Sequence, residues 1–253
     1  MVGAGNLAWH LGSALKNAGY EIEKIWGRTP ENTRKLAEFL TSDFTLDIKE
    51  IPDSADFYFI LVPDRRIQDF VHSIPNKNRF LIHCSGATAL KVLEGGTDHY
   101  GVLYPVQSFS KELELNFSQI PLLIEANNPE NLIRLTELAS SLSEFTYEMS
   151  SENRVLVHLA AVFANNFTNH LIGIGEALLE EKEISPQLLF PLIAETVRKV
   201  FTLGPGPAQT GPALRNDQIT MDKHLELLKN KPGLLNLYKE LSQNIIHSVN
   251  NGC

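Results

Sequence analysis

The chain has 253 residues, enough for one large domain or two ordinary ones with a sizeable core. Its composition, 43% hydrophobic and 21% charged, is that of an ordinary globular protein, and a formal charge of −8 excludes the basic footprint of a nucleic-acid surface. The two cysteines, Cys84 and Cys253, form no disulfide framework, so a reducing, cytoplasmic location is expected. No apolar run approaches the roughly 20 residues that span a bilayer, and the first residues lack a signal-peptide pattern. Neither a nucleic-acid nor a membrane partner is expected.

The first element is a turn. Gly3, Gly5 and Ala8 fit the G-x-G-x-x-G/A pattern that joins a strand to a helix and binds a dinucleotide. The first glycine allows the tight turn, the second lets backbone approach a pyrophosphate, and the third small residue lets helix and strand pack closely. The free N–H groups of a helix starting near Asn6 and Leu7 then face the phosphates. Only Met1 and Val2 precede Gly3, whereas a strand usually runs about 5–6 residues. Either the first strand is short or the true start lies upstream.

Residues 6–19 carry Leu7, Leu11, Ala14, Leu15 and Ala18 at helical spacing, and Gly19 suits a helix stop. Residues 21–27 read as a strand, after which Thr29 can cap a helix and Pro30 suits its first position. That helix carries Leu36, Ala37 and Leu40 on one side. Residues 57–62 form an apolar run typical of a central parallel strand, ending at Val62, Pro63 and Asp64. Residues 79–84 repeat the pattern and end in Ser85-Gly86-Ala87. Further strands are expected at 100–104, 122–125 and 145–148, with a helix over 129–142. Beyond residue 150 the pattern is helical throughout, over 152–182, 186–201, 218–229 and 234–249, with a Gly/Pro-rich connector at 203–212. The expectation is an α/β, doubly wound, Rossmann-like dinucleotide-binding domain over residues 1–150, followed by an all-α domain over 151–253.

The cofactor choice rests on the second strand. Glu23 lies 20 residues after Gly3, the spacing of an acidic ribose ligand in NAD-binding units. Arg28, however, sits at the carboxyl end of that strand, and a guanidinium matches a 2′-phosphate. NADP is the expected cofactor. Its candidate contacts are Gly3, Gly5, Asn6, Leu7, Ala8, Arg28, Thr29, Val62, Pro63 and Ser85.

The sequence resembles the two-domain NADP oxidoreductases that join a Rossmann-like domain to a helical domain of unknown function. The residues that carry the resemblance are Gly3 to Ala8, Gly27-Arg28-Thr29, His83 to Ala87, Tyr104 to Phe109, His158 to Asn166, and Thr210 to Asp217 with Thr220 and His224. The N-terminal domain is similar to that of deazaflavin-dependent NADP oxidoreductases. More distantly, the layout is similar to 6-phosphogluconate, 3-hydroxyacid and prephenate dehydrogenases and to pyrroline-carboxylate reductase. The resemblance implies the fold and the NADP cofactor class, and names neither a substrate nor deazaflavin as a cofactor. Two positions depart from the pattern: the family more often has histidine at Tyr104 and glycine at Asn216.

The candidate chemistry lies on the long helix and at strand ends. His158 and Asn166 are eight residues apart, which at about 100° per residue separates them by about 80°. By the same arithmetic His158, Asn165, Asn169 and Glu176 lie within about 20° of one line. Leu156, Phe163, Phe167, Ile174 and Leu178 lie opposite and read as the core face. Hydride transfer to a carbonyl or imine needs a proton donor, a role suited to His158, with Asn166 orienting substrate or carboxamide. The plainer reading of His158 is a hydrogen bond across a helix or dimer contact. Ser85 stands where open α/β sheets place ligands, and its plainer role is a turn hydroxyl. Arg215 suits a substrate carboxylate or phosphate, and Gln107, within the Tyr104 to Phe109 motif, is the second substrate-binding candidate. Cys84 reads as a small buried residue, His83 as structural and Asp217 as a helix cap. No histidine has metal-ligand spacing, so no metal is expected.

The leading expectation is an oxidoreductase transferring hydride between NADP(H) and a small carbonyl, imine or alcohol. The wide apolar stripe of the long helix points to a homodimer through the helical domain. The alternative is a non-catalytic dinucleotide-binding redox sensor or interaction protein.

Overall fold

The computed structural model describes residues 1–73 and 78–251; Cys253 lies outside the described residues. The chain divides into two compact units, Met1–Asn169 and His170–Cys253.

The first unit alternates helices and strands. Its elements are α1 (Asn6–Asn17), β1 (Lys24–Trp26), α2 (Pro30–Leu40), β2 (Asp43–Thr45), β3 (Tyr58–Ile60), α3 (Ile67–Ser73), β4 (Phe80–His83), β5 (His99–Pro105), β6 (Leu122–Ala126), α4 (Pro129–Leu142), β7 (Thr146–Glu148) and α5 (Ser151–Ala161). β1 pairs with β2, and β3 through β7 follow one another in order. Val2 joins the two groups by parallel bridges to Trp26 and to Ile60. Its N–H donates to Phe59 O at 2.8 Å, and its carbonyl accepts from Leu61 N at 2.7 Å. The stump ahead of Gly3 therefore occupies the centre of the sheet. All pairings are parallel except β5 with β6.

Side-chain alternation explains the two covered faces. Phe59, Phe80, Ile82, Leu103, Leu122 and Ile124 pack beneath α1 and α4, where Leu11, Leu15, Leu135 and Leu138 are buried. Tyr58, Ile60 and Leu81 face the other way, against Ile67, Phe70 and Val71 of α3. Burying each such side chain contributes about 1.5–3 kcal/mol. Ile25 of β1 packs with Ala8, Leu36, Ala37 and Leu40, so the third small residue of the glycine turn does bring helix and strand together. β2 is the strand that sequence pattern misses. It is three residues long with only Thr45 buried, too short to show alternation.

The helix expected over 152–182 runs continuously from Ser151 to Glu180. It changes form at Val162–Phe167, a π-helical turn between α5 and α6 (Thr168–Glu180). The second unit continues with α7 (Phe190–Leu203), a single turn α8 (Pro205–Ala208), α9 (Gln218–Leu227) and α10 (Pro232–Asn251), and no strand occurs among its described residues. The fold is thus α/β followed by an all-α region. Asp217 caps α9, its carboxylate accepting from Thr220 N at 3.1 Å.

One expectation about the long helix needs correction. Leu156 and Phe163 are each 63% exposed and Phe167 48%, so this stripe is not a core face within one chain. Ser151–Glu180 is long and apolar enough to cross a membrane by length and composition alone. It holds no unbroken apolar run of that length, because His158, Asn165, Asn166 and Asn169 interrupt it.

Candidate active site

The carboxyl ends of the parallel strands surround a cavity of about 470 Å³. Gly3 has φ +118° there, and a Cβ on it would lie 2.4 Å from the Leu61 carbonyl oxygen. Only glycine lets the turn follow the central strand so closely. Gly5 is open, with nothing within 4 Å of where a Cβ would stand, so its backbone face is available to a ligand. It is the N-cap of α1, whose first N–H groups, at Asn6 and Leu7, have no intrahelical acceptor. This cradle fits a pyrophosphate.

Arg28, Thr29, Asn32 and Thr33 line the same cavity beyond β1. Thr29 stands at the N-cap of α2 and Pro30 opens that helix, yet the Thr29 hydroxyl makes no capping bond. Glu23 is excluded from the cavity. It precedes β1, and its carboxylate accepts from Ser54 Oγ at 2.6 Å. Both residues line a second cavity that also contains Tyr20, Asp56 and Phe57, at the amino ends of the strands. Ligands of open α/β sheets bind at the other end.

Val62, Pro63, Asp64, Cys84 and Ser85 close the cavity after β3 and β4. Ser85 Oγ donates to Asp64 Oδ2 at 2.8 Å, accepts from the N–H groups of Ala87 and Thr88, and meets Thr88 Oγ1 at 2.9 Å. The hydroxyl thus ties its own turn to the end of β3. Beside it, burial pushes the Cys84 thiol up, away from thiolate. His83 points to the opposite face, and its Nδ1 accepts from Ser85 N at 3.2 Å.

Tyr104, near the end of β5, brings α5 to this edge. Its hydroxyl lies 3.2 Å from His158 Nδ1, with the rings edge-on. Gly86 fills the gap beneath: a Cβ there would stand 2.7 Å from Tyr104 Cζ and 2.8 Å from His158 Nδ1. Burial first, and the Asp64 carboxylate second, holds the Tyr104 phenol above its ordinary pKa. The start of α5 is latched to the sheet. Arg154 donates to Glu125 Oε2 at 2.5 Å and to Thr88 O at 2.7 Å, while Ser151 Oγ donates to Glu125 and accepts from Leu90 N.

The π turn alters the helical arithmetic. A wide turn inserts about one residue, rotating the downstream positions back by about 100°. That correction brings Asn166 close to the line of His158, and takes Asn169 and Glu176 off it. Ala8 is buried in the helix–strand packing and does not line the cavity. Gln107 also lies outside the lining, and its Oε1 accepts from Ser108 N at 2.7 Å. Arg215 is exposed on the turn before α9 in the second unit. Among the described residues no group of three or more His, Cys, Asp or Glu could hold a metal. Sequence reading passed over Asp64, Gly86 and Thr88; strand-end position was the available signal for the first two.

A glycine cradle at the centre of a doubly wound sheet defines a Rossmann-like dinucleotide-binding protein. Residues 1–86 match the family described as NADP oxidoreductase, coenzyme F420-dependent, and residues 120–245 match the domain of unknown function DUF2520. The putative NADP oxidoreductase BF3122 of Bacteroides fragilis is 38% identical, with a TM-score of 0.92 and coverage of 97% of this chain and 96% of that one. The protein TM1727 of Thermotoga maritima is 21% identical, with a TM-score of 0.82 over 99% and 100% of the two chains. An imine reductase of Myxococcus stipitatus, in complex with NADP+, is 15% identical with a TM-score of 0.65, over 99% and 93%. No curated protein matches the sequence. The chain belongs to the family of NADP-dependent oxidoreductases that joins these two domains.

Proposed function

We propose that the protein transfers hydride between NADP(H) and a small carbonyl, imine or alcohol. The observation that carries this is the convergence of the Gly3–Gly5 cradle, Arg28 and the ends of β3 and β4 on one cavity. The nicotinamide supplies or accepts the hydride when bound. Residues 1–150 form the dinucleotide-binding domain in this reading, and residues 151–253 supply substrate contacts. The backbone of Gly3 to Leu7 holds the pyrophosphate, Arg28 and Thr29 the 2′-phosphate, and Val62 and Pro63 the approach to the nicotinamide. Ser85 fixes the Asp64 carboxylate at that end. His158 exchanges a proton with the substrate heteroatom, a step worth about 10²–10⁴ in rate. Asn166 orients the substrate, and Gln107 contacts its polar groups. An imine is one candidate acceptor, by likeness to the imine reductase.

The exposed stripe of Leu156, Leu159, Phe163 and Phe167 supports a homodimer, since an apolar face this wide is covered in a stable protein. Crossing a membrane instead would bring Asn165, Asn166 and Asn169 into hydrocarbon at a cost, which favours the dimer; the cytoplasmic assignment rests on the two cysteines, which form no disulfide framework.

Separate fluorescence titrations with NADPH and NADH test the reading. NADPH is expected to bind, NADH more weakly, and His158→Ala to retain NADPH binding while losing turnover. Failure to bind either nucleotide overturns it. NADPH binding without oxidation by any carbonyl or imine favours the sensor alternative.

A further inference from the structure

We infer that Tyr104 is the positioning residue of His158, holding the imidazole through Nδ1 so that Nε2 is the ring nitrogen left to exchange a proton. The inference rests on the reading of His158 as the proton-transfer group and assigns how that group is aimed.

Three observations carry it. The Tyr104 hydroxyl stands 3.2 Å from Nδ1 and, among the described residues, bonds to no other side chain. Gly86 is the residue type that the closeness of the two rings demands, because any Cβ there would strike both. Each ring is also held by contacts beyond the pair, with Val157 of α5 packed against the cluster that holds Tyr104. Tyr104 packs with Val102 and Leu123 in the sheet, and α5 is anchored one turn before His158 by Arg154. The juxtaposition is therefore set by the fold.

A phenol oxygen can accept from an N–H, which suits this task. In the charged imidazole both nitrogens carry protons and the Tyr104 oxygen accepts from Nδ1–H. After Nε2 gives its proton to the substrate, the neutral ring keeps its proton on Nδ1, still donating to the phenol oxygen. The ring thus keeps one orientation through the transfer. The proton passes between Nε2 and the substrate heteroatom, and Tyr104 retains its own. Its raised pKa supports that division, since burial and the Asp64 carboxylate oppose phenolate formation. The Asp64 carboxylate after β3 acts on the Tyr104 phenol, and Arg154, paired with Glu125 of β6, lies one turn before His158 on α5.

The test is long-range ¹H–¹⁵N NMR of the full chain labelled with ¹⁵N-histidine, at a pH where His158 is neutral. The signals are assigned by their loss in His158→Gln. Wild type is expected to show the Nδ1-protonated tautomer of His158 alone, and Tyr104→Phe a mixture of both. Phe keeps the ring packing, so thermal unfolding should change little. Gly86→Ala, which displaces the pair by another route, should also give a mixture. With any carbonyl or imine that wild type reduces, Tyr104→Phe should lower kcat about tenfold with NADPH affinity unchanged, a fraction of the full general-acid contribution. A mixture already present in wild type, or an unchanged single tautomer in Tyr104→Phe, overturns the inference. Absence of NADPH binding overturns the proposed function instead, and leaves the tautomer result standing on its own.

Discussion

Arg154 on α5 and Glu125 on β6 form an ion pair with N···O 2.5 Å, in which the arginine is wholly buried and the carboxylate 20% exposed. Arg154 also holds the carbonyl of Thr88, so one side chain connects α5, β6 and the turn that carries Ser85 and Gly86. It is the anchor that keeps His158 over the strand ends.

Removing one partner of a buried pair leaves the other uncompensated. Arg154→Leu should cost about 3–5 kcal/mol of stability. Chemical denaturation measures this, and an effect below about 1 kcal/mol would mean that Glu125 reaches water when freed.

The two glycines of the cradle should fail differently. Gly3→Ala places a methyl against Leu61 O in a backbone conformation that alanine rarely adopts, so loss of folded protein is expected. Gly5→Ala meets nothing within 4 Å, so its melting temperature should match wild type. Its methyl projects where we place the pyrophosphate, and NADPH affinity should fall by about tenfold or more. Paired melting curves and nucleotide titrations separate the two.

Arg28 is expected to discriminate between the two nucleotides. A charge-assisted hydrogen bond is worth about 1.5–3 kcal/mol, so Arg28→Ala should weaken NADPH binding about 10- to 100-fold. NADH binding should stay within about threefold. Equal losses for both nucleotides would remove the 2′-phosphate contact.

His83 predicts acid sensitivity. Burial first, and the Arg154 charge second, lowers its pKa from 6.5 to about 3. Between those values the unfolded chain binds a proton that the folded chain excludes. Stability from this group is complete above pH 6.5 and is lost as pH falls toward 3, by about 1.4 kcal/mol per pH unit. His83→Asn, which keeps an acceptor for the Ser85 N–H, should flatten the denaturation midpoint across that window.

Much of this was legible in the residues. The glycine turn, the buried runs ending at Val62 and Cys84, and the loss of strand pattern after residue 150 gave the fold order. They did so because a two-sided buried strand and an amphipathic helix have distinct periods. Arg28 stood out against Glu23 by position alone. The core face assigned to Leu156, Phe163 and Phe167 was misread for a related reason: periodicity shows that a stripe is apolar, not which surface covers it. β2 escaped because three residues carry no period.

The sequence by itself determined the order of the elements, the nucleotide cradle and the cofactor class, since these depend on local pattern and on residue types that a turn or a phosphate requires. Only the tertiary structure decided three further matters. Val2, a stump by length, completes the sheet at its centre through bonds to neighbours distant in sequence. The π turn resets the phase of the long helix, which uniform 100° steps cannot express. The Tyr104–His158 pair joins residues 54 apart, and the space at Gly86 that admits them exists only once β4, β5 and α5 are packed together.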